Sequence, residues 1–355
     1  MVDYIIVGSG LAGIAFSEMA LQNNKSIFVI NNNSQNSTKI AGGLYNPVIL
    51  KRFSEVWNAK EQLDLLYTFY ANLEKKLKVK LDYKLPLLRK FYSIEEQNNW
   101  FAASDKPNLC NFLSTNLITT KWDAIHSPFN FGEVLYSGYV DTVLLLESYK
   151  SFLIKEKLYL DDTFDYSQLI LNSDSIEYKT IKAKNIIFAE GFGMLSNPFF
   201  NKLPLDGTKG ELLIIKAPNL NLEVIMKSSI FVIPLGNDLY KVGATYNWED
   251  KTNIPTETAK IELIENLKEL ITCGFEIIEH HAGVRPTVKD RRPLVGTHPN
   301  HDRIHLLNGL GTRGVMLAPS MALCLFNHIE NQIPLDKNID IRRIKNFFSN
   351  LYQNE

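Results

Sequence analysis

The chain begins with an alternation of apolar and glycine-rich stretches. Residues 3–7 form a short apolar run, which is long enough for a buried parallel strand. A glycine-rich turn follows, then a helical pattern from about Leu11 to Leu21, and then a second apolar run at residues 26–30. This order predicts one strand–helix–strand unit of about 30 residues at the start of the chain.

The rest of the pattern alternates between helical and β-rich regions. Helical periodicity covers residues 55–78 and 256–272, while residues 211–245 are β-rich. Asp141 or Thr142 has the side chain expected of a helix N-cap. A last strand at residues 304–309 meets a glycine-rich turn and an apolar helix that runs from Val315 to about Ile329. This order is typical of an α/β nucleotide-binding domain interrupted by a second domain.

Length and charge narrow the class of protein. A chain of 355 residues is long for one core, so two domains are expected, and no Pro- or Ser-rich linker separates them. The net charge of −1 implies no large field of one sign, which argues against nucleic acid as the default partner. The three cysteines lie far apart and the N-terminus has no basic leader, so we expect a cytoplasmic protein without a membrane segment.

Residues 8–13 fit the phosphate-binding pattern G-x-G-x-x-G. The turn follows a predicted strand and opens a predicted helix, which favours dinucleotide binding over a bare tight turn. The acidic residue that usually holds the ribose, about 20 residues further on, is replaced by Asn31, with Asn32 as a substitute. The candidate cofactor residues of this region are Gly8, Gly10, Leu11, Ala12, Gly13, Asn31 and Asn32.

Four further segments, in chain order, resemble the D-amino acid oxidase superfamily of FAD enzymes that oxidise amines. These are STKIAGGLYNP at 37–47, the hairpin from Phe231 to Tyr246, AGVRPTVKDRRPLVG at 282–296 and IHLLNGLGTRGVMLAPSMA at 304–322. Within that superfamily, the segments are similar to glycine oxidase and to the oxidase half of a bifunctional enzyme that modifies wobble uridine in tRNA. The resemblance covers nearly the whole chain.

The resemblance implies an α/β fold with a Rossmann-type FAD-binding domain, whose parallel sheet is doubly wound, and a substrate domain with an antiparallel sheet and helices. The implied bounds are 1–50, 132–200 and 283–355 for the FAD domain, and 51–131 and 201–282 for the substrate domain. Sarcosine-oxidase relatives attach their flavin through a cysteine in the segment that corresponds to residues 281–297. This chain has no cysteine there, so the resemblance implies non-covalent FAD. The further cofactor residues are Ser37, Thr38, Ala41, Gly42, Gly43, Leu44, Asn46, Ala189, Gly191, Gly309, Gly311, Thr312, Arg313, Gly314 and Val315.

Arg285 stands where a predicted strand enters the interior, next to Pro286. The resemblance implies that it holds the substrate carboxylate, for which a planar guanidinium is well suited. The alternative is an ion pair with a protein carboxylate such as Asp290 or Glu279. The resemblance places Tyr246 and Phe231 in the substrate pocket, although either is equally typical of plain core, and Arg313 beside flavin or substrate.

The sequence therefore predicts a cytoplasmic FAD enzyme that oxidises the C–N bond of a small carboxylate-bearing amine or amino acid by hydride transfer to flavin N5. The alternative is a tRNA oxidase that trims a carboxymethylaminomethyl group, and a non-catalytic flavoprotein is a third reading. Lys289, Arg291 and Arg292 form a small basic cluster, read as a solvated turn or as a phosphate contact. No metal site is expected, because His298, His301 and His305 lie in a polar turn. No pattern indicates an oligomeric state.

Overall fold

The structure, a computed structural model, describes residues 1–345. Residues 346–355 of the predicted FAD domain therefore lie outside the described residues. The helices are α1 Leu11–Gln22, α2 Ala59–Leu77, α3 Ile94–Ser104, α4 Thr142–Lys155, α5 Glu257–Lys268 and α6 Gly314–Asn331. The strands are β1 Val2–Val7, β2 Ile27–Ile30, β3 Leu44–Tyr45, β4 Val48–Ile49, β5 Ser54–Glu55, β6 Asp82–Tyr83, β7 Leu87–Lys90, β8 Leu113–Ile118, β9 Phe131–Val134, β10 Gly138–Val140, β11 Tyr159–Leu160, β12 Leu169–Leu171, β13 Ile176–Tyr178, β14 Ile181–Phe188, β15 Thr208–Lys216, β16 Ile225–Lys227, β17 Phe231–Gly236, β18 Leu239–Gly243, β19 Glu276–Arg285, β20 Leu294–His298 and β21 His301–Asn308.

The first large sheet is built around five parallel strands, β11, β2, β1, β14 and β21. β1 lies between β2 and β14, and the C-terminal half of β14 also pairs in parallel with β21. The register aligns Val7 with Ile30 and with Phe188. The carboxyl ends of these strands therefore share one edge of the sheet, where α/β proteins bind their ligands.

The second large sheet has eight strands in the order β19, β15, β18, β17, β16, β7, β9, β8. Every pair is antiparallel except β7 with β16. β19 runs along β15 as far as Arg285, which lies opposite Thr208. This sheet and the first confirm the predicted fold class.

One cluster of buried side chains reaches from the first sheet into the second. It includes Tyr4 and Ile6 of β1 together with Leu87 of β7 and Ile233 of β17. A continuous apolar core fixes the two sheets relative to each other, because separating them would expose this surface to water. Within the described part of the chain, no helix combines the length and apolarity needed to cross a membrane.

Two predicted helices are shorter than the sequence pattern indicated. The helix predicted from residue 55 starts at Ala59, because β5 pairs with β4 instead of continuing the helix. The helix predicted to reach residue 272 ends at Lys268, and Ile271 forms a bridge to Ile125. The predicted N-cap of α4 is confirmed as Asp141, whose side chain accepts a hydrogen bond from Leu144 N at 3.0 Å.

Candidate active site

A cavity of about 850 Å³ lies between the two sheets. Its volume is in the upper part of the range for ligand sites, about 300–1,000 Å³. All the predicted site residues line it except Gly13 and Gly309. The structure thus brings four features together around one cavity. They are Arg285, the turn before α6, residues 37–46 and the glycine-rich turn of residues 8–13, called the glycine turn below.

The glycine turn forms one end of this cavity. Gly8 has φ +102°, and a Cβ there would overlap the Ala189 carbonyl oxygen. Gly13 lies behind the turn, where a Cβ would overlap the Gly8 carbonyl oxygen. The N-cap residue of α1 is Gly10, which has no side chain to cap the helix, and the first turn has no acidic residue; Leu11 N donates a long hydrogen bond of 3.4 Å to Thr38 Oγ1. Its N-terminal N–H groups and positive dipole end therefore fit a pyrophosphate.

Asn31 occupies the position of the missing acid, at the end of β2. Its Oδ1 accepts a hydrogen bond from Ser9 N at 3.2 Å, and its Nδ2 donates to the Tyr159 hydroxyl at 3.3 Å. Asn32 Nδ2 donates to Thr163 Oγ1 at 3.1 Å. Both asparagines line the cavity, and Asn31 also fixes the glycine turn. A ribose contact by either residue stays a prediction.

The middle of the cavity is lined by backbone without side chains. Gly42 faces the Phe231 ring, whose Cζ would lie 2.8 Å from a Cβ at that position. Gly43 has φ +74°, and a Cβ there would overlap the Val140 carbonyl oxygen. The buried Lys241 donates to the Ala41 carbonyl at 3.2 Å and holds this segment in place. A flat ring system fits against such a surface.

The turn before α6 closes the cavity from the other side. Gly314 packs on α1, since a Cβ there would lie 2.9 Å from Leu11 Cδ1. The first residues of α6, Gly314 and Val315, line the cavity, so the positive end of this helix faces it, and no first-turn acid offsets that charge. Gly309, with φ +72°, packs against Val288 and Leu294 away from the cavity. Two helix N-termini and a glycine-lined wall together fit FAD.

Arg285 forms the wall at the other end of the cavity. Its guanidinium lies over Gly210 of β15, where a Cβ would overlap Nη2 and Cζ, and its Cζ is 4.6 Å from the centre of the Tyr246 ring. It donates to the Thr245 carbonyl at 3.3 Å and, at 3.4 Å, to the Lys209 carbonyl. Burial lowers the pKa of Arg285, and Tyr246 opposes that effect.

The ion-pair alternative for Arg285 finds no support in the structure. Asp290 pairs with Arg343 at 2.9 Å, and Glu279 pairs with His281 at 2.5 Å. No carboxylate of residues 1–345 lies within ion-pair distance of Arg285. The strand therefore presents a half-buried cation to the cavity without an anionic partner in the described part of the chain.

Gly210, Lys227 and Glu190 are among the cavity residues that the sequence did not predict. Gly210 lies within a strand, and a strand glycine is a signal for close approach of another group. Burial lowers the pKa of Lys227 to about 8, and its Nζ donates to the carbonyls of Ser228 and Ser229 at 3.0 and 3.1 Å. Glu190 follows β14 beside the glycine turn. The two charged residues carried no motif in the sequence.

The histidines near residue 300 are engaged with other groups. The rings of His298 and His301 stack with their centroids 4.9 Å apart. The two nitrogens of His305 contact Thr297 Oγ1 at 2.9 Å and Asn185 Oδ1 at 3.3 Å. In the portion of the chain that the structure covers, no cluster of three or more His, Cys, Asp or Glu side chains could hold a metal ion.

Glu190 is expected to make stability depend on pH. Burial raises the pKa of its carboxyl from 4.5 to about 7, although Tyr166 and Asn197 donate hydrogen bonds to it. The unfolded chain releases this proton near pH 4.5 and the folded chain near pH 7. The contribution of Glu190 to the free energy of unfolding therefore falls as pH rises through this window and levels off above it.

Glu190→Gln should remove this decline. The free energy of unfolding of the variant, minus that of the unaltered protein, should rise by up to about 3 kcal/mol between pH 4.5 and 7. A hydrogen bond that the glutamine amide does not make lowers the free energy of unfolding equally at every pH. The pH dependence of the difference between the two proteins is therefore the quantity that tests the assignment. Urea unfolding across this range measures it. A difference that stays constant with pH would contradict the assignment.

Comparison with known proteins agrees with this geometry. Glycine oxidase of Bacillus subtilis (strain 168) is 22% identical over 222 residues, which are 58% of this chain and 60% of that protein. The tRNA 5-methylaminomethyl-2-thiouridine biosynthesis bifunctional protein MnmC of Marinobacter nauticus is 25% identical over 193 residues, 50% of this chain and 30% of its own length. The chain thus spans less than two thirds of either curated relative.

The structure is also similar to solved ones. Glycine oxidase from Bacillus cereus ATCC 14579 superposes with a TM-score of 0.76 at 17% identity, covering 94% of this chain and 96% of that one. This likeness shows a shared fold. A family model described as "DAO: FAD dependent oxidoreductase" matches residues 3–327. The chain therefore belongs to the DAO family of FAD dependent oxidoreductases.

Proposed function

We propose that the protein oxidises the C–N bond of a small amine or amino acid that carries a carboxylate, with FAD held non-covalently. The observation that carries this proposal is Arg285, a half-buried guanidinium in the cavity wall that no carboxylate of residues 1–345 neutralises. A buried charge without a partner is costly, and a bound carboxylate would recover that cost. The glycine oxidases among the relatives act on a carboxylate-bearing amine, which supports the same substrate class.

The chain itself contributes binding and orientation. Arg285 would hold the carboxylate through its planar fork, while Tyr246 and Phe231 flank the substrate as apolar walls. The cavity between the two sheets would shield the reacting carbon from water, and the N-terminus of α6 directs its positive end at the cavity. When bound, the flavin would supply the acceptor for two electrons. No side-chain base is required once the amine is neutral, so positioning is the main contribution.

Purification gives the first test of this proposal. The protein should be yellow, and mild acid should release the flavin as free FAD, because no cysteine occurs in residues 281–297. Anaerobic mixing with a panel of small amines should bleach the flavin only when the amine carries a carboxylate. Flavin that remains with the denatured chain would contradict the non-covalent binding. A flavin that no amine reduces would contradict the activity.

A second candidate is oxidative trimming of a carboxymethylaminomethyl group on tRNA. Two observations favour it. Lys289 and Arg291 are exposed and take part in no ion pair among residues 1–345, and Arg291 is near enough to lower the pKa of Arg313 in the cavity wall. The MnmC relatives are named for tRNA modification. The net charge of −1 argues against a broad basic surface.

Binding to bulk tRNA separates the two candidates. If the substrate is small, the dissociation constant at physiological salt should be no tighter than non-specific binding, about 10⁻⁴ to 10⁻⁶ M. Filter binding or fluorescence anisotropy at several salt concentrations would measure it. Tight binding with a steep salt dependence, lost when Lys289 and Arg291 are both changed to Gln, would favour the tRNA enzyme. Arg303→Gln, which lies outside the cavity, is the control.

A further inference from the structure

Two arginines share the substrate end of the cavity. Arg285 ends β19, and Arg313 lies in the turn before α6. Gly311 N donates to the Pro286 carbonyl at 3.0 Å, which joins the two segments beside both arginines. The ring of Tyr246 lies over Arg285, and its phenol is near enough to raise the pKa of both guanidiniums. Both arginines line the same cavity.

Neither guanidinium is neutralised by a carboxylate of residues 1–345. No ion pair of residues 1–345 includes Arg285 or Arg313, and the Arg313 side chain makes no hydrogen bond within that range. Among the described residues, the Arg285 side chain donates hydrogen bonds only to backbone carbonyls, at 3.3 to 3.4 Å. Burial lowers the pKa of Arg313, and the neighbouring Arg291 lowers it further. Two half-buried cations in one wall are energetically unfavourable until anionic groups bind to them.

A single carboxylate leaves one of these cations without a partner. The phosphates of FAD would be held at the glycine turn, where α1 presents its N-terminus. We propose that the substrate is an amine with two acidic groups, of which Arg285 binds one and Arg313 the other. This proposal rests on the proposed function, and it names the substrate class that the function leaves open.

Two kinds of amine have this charge pattern. In an iminodicarboxylate the nitrogen lies between two carboxymethyl arms, whereas in an acidic amino acid the second carboxylate is on the side chain. Iminodiacetate represents the first kind, and the two enantiomers of aspartate and glutamate represent the second. Sarcosine and alanine are the matched amines with one carboxylate. The efficiency of flavin reduction by each amine distinguishes the two kinds.

A binding experiment tests the two-anion site without requiring turnover. Glutarate and butyrate copy the shapes of iminodiacetate and sarcosine but have no C–N bond to oxidise. Titration of the FAD-loaded protein with each compound, followed by flavin absorbance, should show that glutarate binds at least about tenfold more tightly. Arg313→Met should weaken glutarate roughly 10- to 100-fold and butyrate much less. Arg313→Lys, which keeps the charge but loses the fork, should recover only part of the glutarate affinity.

Arg303→Met is the matched control. Arg303 is also half-buried and donates to the carbonyls of Lys184 and Ser173. It does not line this cavity, so its loss should leave the glutarate-to-butyrate affinity ratio unchanged. Equal affinity for glutarate and butyrate in the unaltered protein would overturn the proposal. Loss of FAD from folded Arg313→Met and Arg313→Lys would also overturn it, since Arg313 would then serve the cofactor.

The outcomes also separate this proposal from the proposed function. If glutarate binds through Arg313 but no amine reduces the flavin, the two-anion site stands and the oxidase activity fails. If sarcosine reduces the flavin as efficiently as iminodiacetate, aspartate and glutamate, the activity stands and the two-anion site fails.

Discussion

Arg285→Met is expected to lower kcat/KM for a carboxylate-bearing amine by roughly 10²- to 10³-fold. Methionine keeps much of the stem volume but removes the guanidinium that faces the cavity. Loss of one partner from a desolvated carboxylate contact costs about 2–5 kcal/mol, at about 1.4 kcal/mol for each factor of ten. Arg285→Lys should recover little, because an ammonium cannot form two parallel hydrogen bonds with a carboxylate. Steady-state kinetics on the purified variants measure both effects.

Several controls make this result specific. FAD content should be unchanged in Arg285→Met, because the glycine turn and the 37–46 segment do not depend on Arg285. Arg303→Met, a half-buried arginine away from the cavity, should leave kcat/KM near that of the unaltered protein. Amines without a carboxylate should be poor substrates and should lose much less on mutation. Full activity of Arg285→Met, or its failure to fold, would identify Arg285 as a structural residue.

The phosphate end of the site could be predicted from sequence because its requirements are local. Gly8 needs a positive φ and Gly13 needs contact with the Gly8 carbonyl, and both demands arise within one six-residue turn. A short pattern therefore indicates the structure directly. The same holds for the N-cap of α4, where Asp141 bonds to a backbone N–H three residues later.

The substrate end depends on pairings that the sequence pattern does not specify. Whether Arg285 faces a ligand or a protein carboxylate depends on where Asp290 and Glu279 find their partners. Asp290 pairs with Arg343, which the packing of the chain after β19 brings near. Glu279 pairs with His281, which lies two residues further along β19. The sequence therefore left both alternatives open.

The predicted start of α2 and the predicted end of α5 were wrong for a related reason. Periodicity continues through residues 55–58, but pairing of β4 with β5 satisfies the backbone there and delays α2 until Ala59. The bridge of Ile271 to Ile125 acts in the same way after α5. In each case a contact outside the local pattern competes with helix propensity and decides where the helix begins or ends.

Gly210→Ala is expected to reduce kcat/KM by at least about tenfold without any change to Arg285 itself. Gly210 lies in β15 with backbone angles that alanine can adopt, but an added Cβ would overlap Nη2 and Cζ of Arg285. The guanidinium would have to move off the strand, and its hydrogen bonds to the Thr245 carbonyl would be lost. The strand should remain paired, so FAD content should be unaltered.

Gly274→Ala provides the matched control, because no heavy atom lies within 4 Å of a Cβ built at that glycine. It should leave kcat/KM unchanged. The decisive measurement is a double-mutant cycle, since Gly210→Ala should cost little further activity once Arg285 is methionine. That non-additivity follows only if the alanine acts by displacing the guanidinium. Equal costs of Gly210→Ala with and without Arg285 would show that the substitution damages the β15 strand, and would contradict the position of Arg285 over Gly210 in the working enzyme.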